Sequence, residues 1–200
     1  GWTWDPRELA EMEMGDDAAH ILATKIDALA PEPARVLRIA SVIGAVFDVE
    51  LLVAVCGSQR LELLQTLLGL TEEGLLTPCR EGFRFVHDRV QEAARTAVPT
   101  DEQERIHHHA ARALEARTPA DQLDSRLFEI VDHLDRALGL MPADGRVHAL
   151  ELNLRAGSRA LANGASVAAT QSIIRLYLPA SLPPDGVAAL ATAICGRGWV

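Results

Sequence analysis

Lysine is almost missing from this sequence: Lys25 is the only one in 200 residues, and the side chains counted with it are arginines. The 19 Lys and Arg stand against 28 Asp and Glu, a formal net charge of −9. Phosphate backbones are held by clustered cations, so this balance argues against an extended nucleic-acid surface. Cysteine is scarce too. Cys56, Cys79 and Cys195 are odd in number and far apart, which fits reduced thiols better than a disulfide framework. Aromatic residues make up only 4 % of the chain, leaving Leu, Val, Ile and Ala to build any core. No apolar run reaches the roughly 18 residues that cross a bilayer, and no leader pattern is visible. The expectation is an acidic, soluble, cytoplasmic and mostly α protein. Gly1 in place of a methionine adds the expectation of a piece of something longer.

What the chain does have is helical periodicity broken by proline and glycine. Trp2-Thr3-Trp4-Asp5-Pro6 is an aromatic opening, and Asp16 or Asp17 can cap a helix carrying Ile21, Leu22, Ile26 and Leu29. Pro31 and Pro33 break it and mark a boundary. Arg35 to Ile43 reads as a helix too apolar for a solvent face, stopped by Gly44. Asp48 caps a short helix to Cys56, and Gly57-Ser58 turns into a third from Gln59 to Leu70. Leu61, Leu64, Leu67 and Leu68 are expected to form its buried stripe. Leu75-Leu76-Thr77-Pro78 and Phe83-Arg84-Phe85-Val86, joined by Arg80-Glu81-Gly82, read as a hairpin. Three helices followed by a β-hairpin is the order of a winged-helix domain.

His87 falls where the second hairpin strand gives way to a helix. Asp88 is the expected N-cap of that helix, which runs to Pro99. Beyond it, Thr100 and Gln103 suit a capping box for a helix from Asp101 to Ala116. Leu123, Leu127, Ile130, Val131, Leu134 and Leu138 share one face of the next helix, ended by Gly139 and Pro142. Arg146 to Leu161 makes another, with Leu150, Leu154 and Leu161 expected inside. Ala165 to Leu178 and Val187 to Ile194 are further helical stretches, separated by Pro179, Pro183 and Pro184. Such a succession predicts an antiparallel helical array, a bundle or a tetratricopeptide-like solenoid.

Several blocks together resemble the region behind the nucleotide-binding module of large bacterial STAND-type signalling ATPases. They are Trp2-Thr3-Trp4-Asp5, Leu29-Ala30-Pro31, Val36 to Gly44, Phe47-Asp48, and Phe85-Val86-His87-Asp88-Arg89-Val90-Gln91-Glu92-Ala93-Ala94. Phe128-Glu129-Ile130-Val131 and Leu152-Asn153-Leu154-Arg155-Ala156-Gly157 complete the set. These AAA-like proteins are often fused to a serine/threonine kinase and a sensor histidine kinase. The resemblance implies that residues 1–30 end the ATPase module and that 31–100 are its winged-helix companion. Residues 101–178 would then begin the helical sensor region, with 179–200 a divergent or truncated tail. It also implies that His87 contacts the nucleotide diphosphate of the closed state. ADP or ATP would belong to the parent, since no Gly-x-x-x-x-Gly-Lys-Ser/Thr loop occurs here and the fragment is expected to carry no cofactor. The implied partners are the chain's own upstream nucleotide module and proteins bound through the helices, with no membrane.

Other chemistries have less in the sequence to support them. His87 also suits a plain structural role at the strand-to-helix corner. A DNA-binding winged helix would need a polar recognition helix, whereas the third helix offers Arg60 and Glu62 among leucines. His107-His108-His109 are about 100° apart on a helix, so they read as a solvated face and not a metal site. His20, His133 and His148 add no ligand spacing. Asp16-Asp17 and Glu72-Glu73 face apart on any regular element, and no nucleophile motif appears, so no catalytic residue is expected. A helical adaptor for protein partners is the second reading.

Overall fold

A computed structural model describes residues 24–162. The expectations placed on Trp2 to Pro6, Asp16, Asp17, His20, Cys195 and the stretches after Ala162 lie outside the described residues. Within them the chain is mostly helical with one small antiparallel sheet. The chain separates into two compact units, Gly1–Ile106 and His107–Val200.

The first unit is built around α1, Pro31–Ile43. Val36, Leu37, Ile39, Ala40 and Val42 are all buried, as the absence of a polar face requires. Pro31 does more than break what precedes it. It occupies the first helical position, where its missing N–H has no partner to lose. A helical turn at 24–27 precedes it and brings Ile26 into the same core. Lys25 donates from there to the carbonyl of Glu73.

A strand that the periodicity does not predict follows: β1, Val46–Phe47. Two residues are too short to show alternation. Asp48 then caps α2, Val49–Cys56, accepting from the Leu51 amide at 2.6 Å. The third helix, α3, spans Arg60–Glu72. Its buried face is Leu63, Leu67 and Leu70, which corrects the expected stripe: Leu61 and Leu68 are 68 % and 54 % exposed, and Leu64 is half-buried. With leucines on both sides, periodicity offers two phases, and packing against α1, α2 and β2 selects one.

The hairpin is β2, Leu76–Cys79, and β3, Gly82–Phe85, paired from Leu76↔Phe85 to Cys79↔Gly82. β1 pairs with the other side of β3, giving the order β1-β3-β2. Pro78 is tolerated because β2 lies at the sheet edge. Phe47 stacks on Phe83 with centroids 6.5 Å apart and meets Phe85 edge-on at 5.9 Å. Gly82 has φ +140°, and a β-carbon there would run into the Phe47 carbonyl.

From β3 the chain passes into α4, Asp88–Thr96, which packs Val90 and Ala94 on α1. Then α5 runs over Thr100–Arg117, and the division between the two units falls within it. Thr100 is itself the first helical residue and does not stand in the cap position expected of it. The Gln103 amide donates to the Val98 carbonyl at 2.8 Å and so closes the preceding turn instead. The second unit continues with α6, Leu123–Arg136, a 3-10 turn at Leu138–Leu140, and α7, Ala143–Ala162. Leu127, Ile130, Val131 and Leu134 bury the expected face of α6, with Leu123 and Leu138 half-buried at its ends. On α7, Leu152 and Leu154 are buried, while Leu150 is half-buried.

Candidate functional site

The corner after β3 is fixed from both sides. Val86 donates its amide to the Leu75 carbonyl at 3.2 Å, which ends the sheet. His87 then stays extended (φ −147°, ψ 144°) while the next residue is already helical. This makes His87 the N-cap and corrects the expectation for Asp88, which sits inside the first turn, where its charge complements the helix dipole. The His87 ring caps with Nδ1, which accepts from the Arg89 amide at 3.2 Å. Its carbonyl accepts from Val90 at 3.0 Å and Gln91 at 3.4 Å.

Capping assigns the tautomer. An Nδ1 that accepts a hydrogen bond carries no proton, so the neutral ring holds its proton on Nε2. His87 is solvent-exposed, and Arg84 and Arg89 nearby in sequence are exposed as well. The corner therefore offers a pre-oriented N–H donor, chemistry suited to an anionic oxygen. Arg89 also lines a separate groove of about 470 Å³ with Ile26, Asp27, Glu92 and Thr96. Sequence reading missed that groove because Ile26 and α4 lie far apart in the chain.

The other candidate positions divide sharply. His107 is not on a solvated face: it is buried, 6 % exposed, and its Nδ1 lies 2.8 Å from Nδ1 of His133, which is 3 % exposed. The two rings have centroids 5.1 Å apart. His108 is half-buried and His109 exposed, with the His108 ring held below its ordinary value by burial and then by His109. His148 meets Glu115 at 2.9 Å. Among the described residues no three His, Cys, Asp or Glu converge as a metal site would require.

Arg60, the cation at the start of α3, is paired with Glu50 at 2.6 Å. Burial pushes the Cys56 thiol up to about 11, partly offset by the Arg35 guanidinium. A thiol so protonated is a poor nucleophile.

Comparison with family models, curated proteins and solved structures finds no match.

Proposed function

We propose that residues 31–100 are a winged-helix unit that regulates a STAND-type signalling ATPase. In this reading it stabilises the ADP-bound closed state of a nucleotide module preceding it, and the helices after it, a tetratricopeptide-like array, relay input. The observation that carries the reading is the helix–strand–helix–helix–hairpin order, with β1 closing on β3 and a histidine N-cap at the exit of the sheet. That order supports a winged helix, and the capped His87 supports contact with a diphosphate through Nε2–H. The unit works in the cytoplasm and needs ADP or ATP only as the parent's ligand.

Regulation of this kind requires contacts that differ between closed and open states. A contact made by His87 only in the closed state is of that kind. His87→Asn tests it in the longer protein, because asparagine keeps a side-chain cap while removing the Nε2 donor. The variant releases ADP faster than wild type with unchanged helix content. Equal ADP retention would discard the role of His87.

A protein-binding adaptor is the second reading, favoured by the outward leucines Leu61 and Leu68 of α3. The same face weighs against DNA, since the Arg60 cation is already paired with Glu50 and the outward residues beside it include acidic Glu62 and apolar Leu61 and Leu68. Reading the gene ahead of Gly1 separates the two: a P-loop module there supports the switch, and a nearby start codon supports the adaptor.

A further inference from the structure

Two imidazoles meet in the interior of the second unit. His107 is on α5 and His133 on α6, 26 residues later, with their Nδ1 atoms 2.8 Å apart. At that distance one Nδ1 must donate and the other accept, so the rings are locked in complementary tautomers sharing one proton. A first added proton leaves this bond in place but puts a charge where only 3–6 % of each residue meets solvent. A second sets N–H against N–H at the same distance, and the bond is lost.

Charged and titratable groups stand near the pair in sequence on α5 and α6, and α7 brings others to the same helices. On α6, Asp132 and Arg136 flank His133 with opposite effects and are tied to each other at 3.0 Å. Burial outweighs both and holds the His133 ring below its ordinary value of 6.5. One turn before His133, Glu129 lies 3.9 Å from Arg126. On α5, Glu104 precedes His107 by one turn, and His108 beside it is itself held low by burial. From α7, His148 meets Glu115 at 2.9 Å, and Asn153 donates to Asp135 at 2.7 Å.

We propose that the His107–His133 pair is an acid-operated latch on the second unit, tying α5 to α6 while neutral and releasing them when protons are taken up from mildly acidic solvent. The latch stands apart from the nucleotide reading and does not depend on it. Release takes up as many as two protons, one per ring, and exposes both imidazolium ions to water. The direction follows from linkage: the open form binds more protons, so closure is complete above 6.5 and weakens as the pH falls below it. Each proton taken up shifts the opening equilibrium about tenfold per pH unit.

The experiment follows amide exchange of residues 123–136 in the full chain from neutral pH to about pH 5, corrected for the intrinsic pH dependence of exchange. Wild type opens about tenfold more readily, or more, per pH unit below 6.5 than His107→Leu/His133→Leu, whose corrected opening keeps only the shallower slope that His108 contributes. His148→Gln keeps the wild-type slope. An unchanged slope in the double variant would overturn the latch. If the double variant does not fold, nitrogen NMR of the wild-type imidazoles decides alone. One ring protonated at Nδ1 and its partner at Nε2 support the latch, and two rings of one tautomer titrating independently overturn it.

Discussion

The side-chain amide of Gln91 donates to the Ser41 carbonyl at 3.0 Å, spanning 50 residues of sequence. Ser41 is in the last turn of α1, where carbonyls have no partner within the helix. Gln91 supplies one, and by doing so clamps α4, and with it the His87 corner, against the central helix. Gln91→Leu leaves that carbonyl without its donor and lowers stability by about 1–2 kcal/mol in urea denaturation. A variant as stable as wild type would show that water replaces the amide there.

Two glycines test what limits the backbone. Gly57 ends α2 with φ +64° in open space, so Gly57→Ala meets only the conformational penalty, about 1 kcal/mol. Gly82 adds a collision with the backbone of Phe47. Gly82→Ala therefore costs about 2–3 kcal/mol or more and displaces β1 from β3. Equal losses of melting temperature for the two variants would contradict the close approach of β1.

Adjacent leucines of α3 should behave oppositely. Leu67 is fully buried, and Leu67→Ala is expected to lose about 3 kcal/mol through lost transfer energy and a cavity. Leu68 is 54 % exposed, and Leu68→Ala changes stability by less than about 0.5 kcal/mol. Denaturant melts of the pair check the phase of the helix directly.

Cys56 gives an alkaline signature. Its folded value, about 11, lies above the ordinary 9.0, so the unfolded chain releases the proton first. Stability from this group is whole below 9 and is lost as the pH rises through about 11, by roughly 2–3 kcal/mol. Cys56→Ala removes that component, so the difference between wild-type and variant denaturation curves shrinks across this range. Alkylation of Cys56 is also slow near neutral pH until the chain unfolds.

Much of this was legible locally. Asp48 is an N-cap because its short carboxylate reaches the amide three residues on, a relationship written within four positions. Pro31 was legible as a break but not as the first residue of α1, which begins four residues before the expected Arg35. The corner at His87 was visible as a change from alternation to helical spacing, although which residue capped it was not. Side chains at adjacent positions compete for one cap, and the extended backbone of His87 decides the matter.

The sequence by itself determined a mostly helical chain, most of its helix boundaries, its hairpin, its apolar α1 and its acidic surface, because caps, breakers and period act over one or two turns. Only the tertiary structure decided that Val46 and Phe47 form a strand on β3, which leucines of α3 are buried, and that Gln91 reaches Ser41. It also took His107 from an apparent solvent face into a buried pair with His133. Each of these depends on what an element meets after the chain returns, and periodicity carries no information about the partner.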